Sequence, residues 1–534
     1  MEQLDLQKRL IIALALSFLV FAGSSYFMQP QQKKELSQEH NKTEQKQAPS
    51  VAVADKNVAK SAPATSTNQM TKAPVQDSSA TLSVITTPSS QISIDTFGRI
   101  SQVVLLEDKY KDDEGNNLRL LDATAVKPLE IRFADAKINS EAFKIPYEAS
   151  SATIHSPEKL ILTQKLTDLT VTKEITFDSS GHYKIHIKTS KPVEYFVTTG
   201  HRPIADTSRY MISKGALIKD GDNILTTIED GKAEGDESFK NVKFASAFDR
   251  YYASILYDLS NGLDVTIAKD KGDDPLIFVH GKDDFNIDGY IGPKKYSVLK
   301  ALSPELTDVI EYGWFSFLSK PFFAVIVWIY GFVGNWGWAI ILFTLLVKII
   351  LFPLSYKGMM SMQKLKDLAP KMKEIKEKYG KDPQKMNMKM MEMYKKHGAN
   401  PMGGCLPMLL QIPVFFALYR VLLNTDELQG APWILWIGDL SKMDPYFVLP
   451  ILMGASMYFQ QKITPSNITD PLQEKIFKFF PVIMTVFFVT FPSGLVLYWL
   501  TNNVLSIAQQ YYINLAYEKH KETQKIAHEN EKES

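Results

Sequence analysis

From about residue 306 to 515 apolar runs dominate the chain, and the run 336–354 constrains it most. A helix of that length can cross a bilayer, which takes about 20 residues. Lys348 lies inside it, with Thr344 as the only other clearly polar side chain. Holding a charge at that depth costs about 2.5–3.5 kcal/mol on insertion scales, so an ionisable residue in a span points to function. Snorkelling is the plainer explanation, with the stem along lipid and the ammonium in water. Lys348 is nine residues from Lys357, however, roughly 13 Å along a helix. That is far for the side chain to clear the hydrocarbon.

The chain of 534 residues is long enough for more than one domain. A net charge of +1 gives no overall basic field, so direct nucleic-acid binding is not expected. Cys405 is the single cysteine, which excludes an internal disulfide framework and a multi-cysteine zinc site. The nine histidines show no HExxH or comparable spacing, and no cofactor or metal is expected. Residues 10–28 are apolar behind Lys8 and Arg9. Ala22-Gly23-Ser24 resembles a cleavage site, yet 19 apolar residues exceed a usual signal core, so 1–28 reads as an uncleaved transmembrane anchor. Residues 29–80, rich in Gln, Lys, Ser, Ala and Thr, cannot bury a core and read as a disordered tether. Residues 81–305 read as a soluble β-rich domain. A helical core over 336–515 follows, and a charged tail, 516–534, closes the chain.

Charge orients these zones. The candidate core spans are 336–354, 405–423, 445–461, 476–491 and 495–513. Residues 357–396 carry twelve lysines against five acidic residues, which places them in the cytoplasm. The next loop has Lys442 against Asp426, Glu427, Asp439 and Asp444 and belongs outside. The tail, with Lys519, Lys521, Lys525 and Lys532, returns inside. Residues 314–333 are apolar enough to span, but a further span would break this threading. The segment 306–335, interrupted at Lys320-Pro321, is therefore expected to hold an amphipathic helix at the outer interface. Six of the seven tryptophans, at 314, 328, 336, 338, 433 and 436, then share one outer belt.

In the outer domain, 160–177 and 182–189 alternate apolar and polar residues around a turn at Asp178-Ser179-Ser180-Gly181, as antiparallel hairpins of a sandwich do. His201 and Arg202 beside Pro203 suit a loop better than a sugar site. In the cytoplasm, 355–398 reads as a helical hairpin in which Gly380 ends the first arm, Asp382 caps the second and Pro383 opens it. Met362, Leu365, Leu368, Met372, Ile375 and Tyr379 form one apolar stripe, and Met386, Met390, Met393 and Tyr394 form its counterpart. Nine of the nineteen methionines fall in 357–396. That density suits a surface adaptable to varied apolar clients or to targeting machinery, as well as an ordinary hairpin core.

Polar residues recur in the last spans: Gln411, Thr485, Thr490, Thr501, Asn502, Asn503, Ser506, Gln509 and Gln510. Each alone could be interhelical glue. Together with Lys348, and with Thr344 one turn before it, they favour a hydrated cavity open to the cytoplasm. The runs 445–461 and 476–491 are short for a bilayer and favour local thinning.

Met402-Gly403-Gly404-Cys405-Leu406-Pro407, Gln411-Ile412-Pro413-Val414-Phe415, Leu449-Pro450-Ile451-Leu452-Met453-Gly454 and Phe491-Pro492-Ser493-Gly494-Leu495-Val496-Leu497-Tyr498-Trp499 closely resemble the YidC membrane protein insertases of Gram-negative bacteria. The likeness is dense over 330–515 and extends in layout to the rest of the chain. It implies an α-helical polytopic protein of the inner membrane with six transmembrane helices, five forming the insertase core. It also implies a periplasmic antiparallel β-sandwich, a cytoplasmic C-terminus, and a groove open to cytoplasm and lipid. In that family a positive residue of the second span attracts acidic or polar client segments. The client's apolar helix then slides out along the third and fifth spans. Carried over, the positive residue is Lys348, where the family usually has arginine. Ile412, Pro413, Phe415 and Phe487 would form the sliding surface, and Tyr498 and Trp499 would border the groove. Thr344, Gln411 and Asn502 complete the candidate set. The partners implied are nascent membrane proteins, the Sec translocon with its accessory subunits, the ribosome and membrane lipids. A polytopic transferase would need a catalytic His or paired carboxylates in the core spans, which are absent. A transporter would need access to both sides and often shows internal repeats.

Overall fold

The computed structural model describes residues 80–112, 114–205, 213–397, 406–464 and 471–533. The expected anchor 1–28, almost all of the tether 29–80, and the Met402 to Cys405 motif lie outside them. The outer domain is built from two sheets. In the smaller, the order is Ile100–Leu105, Ser90–Asp95, Thr81–Thr86, Thr153–His155. The last two run parallel, which departs from the all-antiparallel expectation. A long connection brings Thr153–His155 back to that edge, and such a return leaves either direction open. The larger sheet has 13 strands, whose path runs from Ile131–Phe133 at one edge to Glu148–Ala149 at the other. Inward side chains of both sheets, among them Ile92, Val103, Val171, Ile185 and Val265, share one apolar core.

The two expected hairpin segments form three strands, Lys159–Lys165, Thr170–Phe177 and His182–Thr189, paired antiparallel. Gly181 makes their turn at φ +90°, a conformation natural to glycine. Alternation points Val171, Ile175 and Phe177 inward, and it points Lys173 inward too. The Lys173 ammonium donates to the carbonyls of Gly98 and Leu129, each at 2.9 Å, and lies over the Tyr147 ring. Burial pushes it down to about 7. His201 and Arg202 sit in a loop where they pair with Asp274 and Asp230. Two tyrosines lie across glycines of the neighbouring strand, Tyr183 on Gly289 and Tyr195 on Gly281. The missing Cβ lets each ring lie flat against backbone.

Helices are numbered along the chain: α1 is Ala136–Ala142, capped by Asp135, and α2 is Tyr296–Leu302. α3 (Ser316–Val333) buries Ser319, Phe323, Ile326 and Ile329, spaced as one helical stripe. It packs on α4 (Trp336–Asp367) and α7 (Leu406–Asn424). Gly334 in the left-handed region ends α3, and Asn335 caps α4 through the Trp338 N–H. By length and composition, α3 and α4 are long and apolar enough to cross a membrane. α8 (Val448–Ile463), α9 (Pro471–Phe488) and α10 (Ser493–Glu533) complete the bundle. α10 packs on α4, α7 and α8. Its 41 residues run without a break into the segment read as a charged tail.

The hairpin differs from expectation in its first arm. α4 does not stop near 355 but continues to Asp367, where Leu368 breaks the helix. α5 (Ala369–Tyr379) then starts with Pro370 in its first turn, where a missing N–H costs nothing. α6 (Pro383–Lys396) is capped by Asp382 through the Lys385 N–H. Leu365, Leu368 and Met393 form the hairpin core with Met372, Ile375, Met390 and Tyr394. Met388 and Met391 stay outside it, 52% and 54% exposed.

A buried polar knot joins the outer domain to the helices. The Asp426 carboxylate takes Lys109 at 2.7 Å and the Tyr110 hydroxyl at 2.8 Å. The Tyr296 N–H donates to Glu427 at 2.8 Å, and Arg250 Nε donates to the Leu423 carbonyl at 2.6 Å. Burial, and then the neighbouring Asp426 charge, push the Glu427 carboxyl up to about 7 from its ordinary 4.5. The folded chain therefore keeps this proton where the unfolded chain has lost it. The contribution is complete below about 4.5 and is lost as pH rises through about 7. Thermal unfolding of the purified protein should show a midpoint that falls between pH 5 and 7.5, and Glu427→Gln should flatten that fall. Gly289→Val should drive its Cβ into the Tyr183 ring and cost about 1–3 kcal/mol, read from chemical denaturation.

Candidate functional site

The site begins with Lys348 on α4, two-thirds of the way from Trp336 to Pro353. Its ammonium donates to the Ser506 hydroxyl of α10 at 2.8 Å, and that hydroxyl donates to the Asn502 carbonyl one turn earlier at 2.7 Å. Among the described residues no carboxylate pairs with it. Beside it lies a cavity of about 400 Å³ lined by Leu345, Lys348, Ile349, Phe352, Pro353, Leu505 and Gln509. Two helices thus supply the site. α4 contributes residues spaced by three and four, and α10 presents Leu505 and Gln509, also four apart.

The candidate residues fall into two groups. Lys348 and Asn502 are linked through Ser506. Thr344 is buried one turn away, but its hydroxyl donates back to the Ile340 carbonyl of its own helix. Gln411 donates to the Tyr498 hydroxyl at 2.8 Å, which ties α7 to α10. Phe415 meets Trp499 edge to face, with ring centroids 4.7 Å apart. Phe488 meets the same indole at 5.0 Å, and Phe487 packs on Phe488 and Phe491. Gln411, Phe415, Phe487, Tyr498 and Trp499 therefore form one polar-aromatic cluster, joined to Lys348 along α10. Trp499 and Ser506 are seven residues apart on that helix, or roughly 10 Å. Ile412 is 43% exposed beside this cluster, and Pro413 lies within α7.

The remaining polar side chains of the last spans separate into glue and lining. Asn503 donates to Ser456 of α8 at 3.1 Å. Gln510 and Gln363 both donate to Asn514, which clamps α10 to α4. Thr485 donates to the Pro481 carbonyl of its own helix. Gln509 instead lines the cavity, and Ser506 holds the ammonium of the lining residue Lys348. Both stood among the polar residues expected to favour a hydrated cavity with Lys348, though not in the client-binding set; Phe352 and Pro353 were not named. A signal was present, since Ser506 and Gln509 lie three apart on one face of α10. Among the described residues no group of three or more His, Cys, Asp or Glu could hold a metal ion.

This arrangement puts an ammonium, hydroxyls and amides beside exposed apolar surface, with Ile349, Ile350 and Phe352 open on α4. It can solvate polar groups at the edge of an apolar phase. The pattern of the family described as "60Kd inner membrane protein" matches residues 328–521, and that of the "YidC periplasmic domain" matches 83–325. The membrane protein insertase YidC of Campylobacter jejuni is 49% identical over 524 residues, 97% of this chain and 98% of that one. That of Wolinella succinogenes is 47% identical over 96% of both chains. A crystal structure of an active YidC insertase covers 84% of this chain and 96% of its own, at 21% identity and a TM-score of 0.37. Matched by both family patterns and by relatives aligned almost end to end, the chain belongs to the YidC family of membrane protein insertases.

Proposed function

We propose that this chain, a non-enzymatic insertase of the inner membrane with a periplasmic domain, lowers the barrier to insertion at the cavity that carries Lys348. The observation behind this reading is the Lys348 ammonium itself. Its partner is a neutral hydroxyl, so its charge stays available to a client. The polar part of a client's extracellular segment would pause beside Lys348, Ser506 and the neighbouring amides. Its apolar helix would meet Ile412, Pro413, Phe415 and Phe487. Transfer of that helix to lipid then drives release, at roughly 25 cal/mol per Å² of apolar area.

The same reading gives the topology. The 10–28 segment and helices α4, α7, α8, α9 and α10 make six spans, with five in the core. The lysine-rich hairpin and the end of α10 lie in the cytoplasm. α3 lies at the outer interface, supported by its one-sided burial and by Lys320 on Asp308, which also holds Lys219 of the outer domain. α8 has 16 residues, about 24 Å against a hydrocarbon core of roughly 30 Å, which favours thinning at the groove. Nascent membrane proteins are the clients. The Sec translocon and its accessory subunits, the ribosome and membrane lipids are the further partners. Met388 and Met391 on the exposed face of α6 suit the first contact with an apolar client.

Full-length protein reconstituted in phospholipid vesicles tests this with single-span clients. Lys348→Arg should preserve insertion, because either cation attracts an acidic tail. Lys348→Glu should lower insertion of acidic-tailed clients at least roughly tenfold, by like-charge repulsion at short range. Equal insertion by the Glu variant would end the charge role. Met388→Asp with Met391→Asp should weaken client crosslinking to the hairpin without shifting the thermal midpoint. Met393→Asp, placed in the hairpin core, should lower the midpoint as well.

A further inference from the structure

Arg420 is the only arginine between residues 306 and 515, where the other strong cations are all lysine. It lies four residues before the end of α7, the end that meets the outer domain through the Leu423 carbonyl and Asp426. One face of α7, with Val414, Ala417, Leu418 and Val421, is buried in the bundle. Ile412 and Phe416 are 43% and 41% exposed, and Arg420 follows them at the same spacing of four. The arginine thus continues the open stripe of the helix, and it is only half-buried. Its guanidinium lies against Gly313, where a Cβ would meet Cζ at 3.6 Å. Beside it Phe416 stacks on Phe315, with centroids 5.9 Å and planes 6° apart, and Phe317 next to Phe315 is 75% exposed. Among the described residues no carboxylate forms an ion pair with Arg420. Its charge reaches Glu229 of the outer domain, but that carboxylate is held by Lys232 and the Ser213 hydroxyl. Water alone would serve a lysine here as well. A guanidinium is more weakly hydrated, and its planar fork fits two oxygens of one phosphate. The open rings suit glycerol and acyl carbons, which free phosphate lacks.

We propose that Arg420 binds the phosphodiester of one anionic phospholipid of the outer leaflet, with Phe416, Phe315 and Phe317 against the carbons of that lipid. The site rests on α7 spanning the membrane, and it is independent of the Lys348 cavity. A lipid held there joins α3 and α7 at the foot of the outer domain.

Native mass spectrometry of the full chain in detergent, titrated with phosphatidylglycerol, tests this. The wild-type chain should retain one phosphatidylglycerol that Arg420→Gln holds about tenfold more weakly. Arg420→Lys should restore that binding only in part, because a point charge lacks the fork. Equal retention by wild type and Arg420→Gln would overturn the site. So would displacement of the lipid by inorganic phosphate at the same concentration, which would make the rings irrelevant. Unchanged lipid retention in Arg420→Gln, with weaker crosslinking of an acidic-tailed client to α7, would assign the cation to clients and overturn it too. Thermal midpoints give a second reading. Added phosphatidylglycerol should raise the midpoint of the wild type more than that of Arg420→Gln. A midpoint lowered by the same amount with and without lipid would make Arg420 a packing group and overturn the proposal. A nitroxide on Ile412→Cys, in a Cys405→Ser background, should be relaxed by oxygen dissolved in lipid. Relaxation by an aqueous reagent instead would remove α7 as a span, and the lipid site with it.

Discussion

An ammonium in an apolar bundle has to remain solvated, and much of the helical core is arranged around that requirement. Lys348 finds a hydroxyl instead of a carboxylate. A carboxylate would have stabilised the charge and also neutralised it. A hydroxyl satisfies one N–H and preserves the net charge. The consequence is that α4 and α10 do not close around the side chain. They stay apart by the width of the cavity and are clamped further along by Gln363, Gln510 and Asn514, and again by Tyr517 and Lys521 on Asp367. These polar contacts hold the two helices together on the C-terminal side of the gap, beyond Pro353 and Gln509.

The outer domain meets the bundle through a different kind of contact. Asp426 and Glu427 are buried side by side, and Lys109, Tyr110 and the Tyr296 backbone reach them from the domain. Adjacent buried carboxyls repel each other as anions, so one of them holds its proton more tightly. The joint is therefore specific in geometry but modest in strength, because desolvation offsets much of the attraction.

Periodicity revealed the hairpin strands of the outer domain and the Met390–Met393–Tyr394 stripe, because both follow from local spacing. The family was legible from motifs concentrated at helix ends and bends, such as Gln411-Ile412-Pro413 and Pro492-Ser493-Gly494. The run of α4 to Asp367 was not legible, since the apolar run ends at Leu354 and the hairpin was expected to begin at 355. The role of Lys173 on the inward face of its strand carried no local signal. Its acceptors, the carbonyls of Gly98 and Leu129, are 75 and 44 residues away in the chain. Asp426 and Glu427 were placed only in an outer loop, since their partners Lys109, Tyr110 and Tyr296 are also distant in the chain. At the site, composition marked α10 as polar but could not sort its amides. Asn503 binds Ser456 of α8 and Gln510 binds Asn514 of its own helix while Gln509 lines the cavity, a difference set by which neighbour each residue meets.

The unbroken course of α4 through Pro353 has a mechanical consequence. The helix that carries Lys348 is also the first limb of the lysine-rich hairpin, with no loop between them to absorb a displacement. Load applied to the limb at Asp367 must either tilt the ammonium or flex the rod at its one proline, which borders the cavity. Contact at the hairpin and the width of the cavity beside Lys348 are then two ends of a single lever.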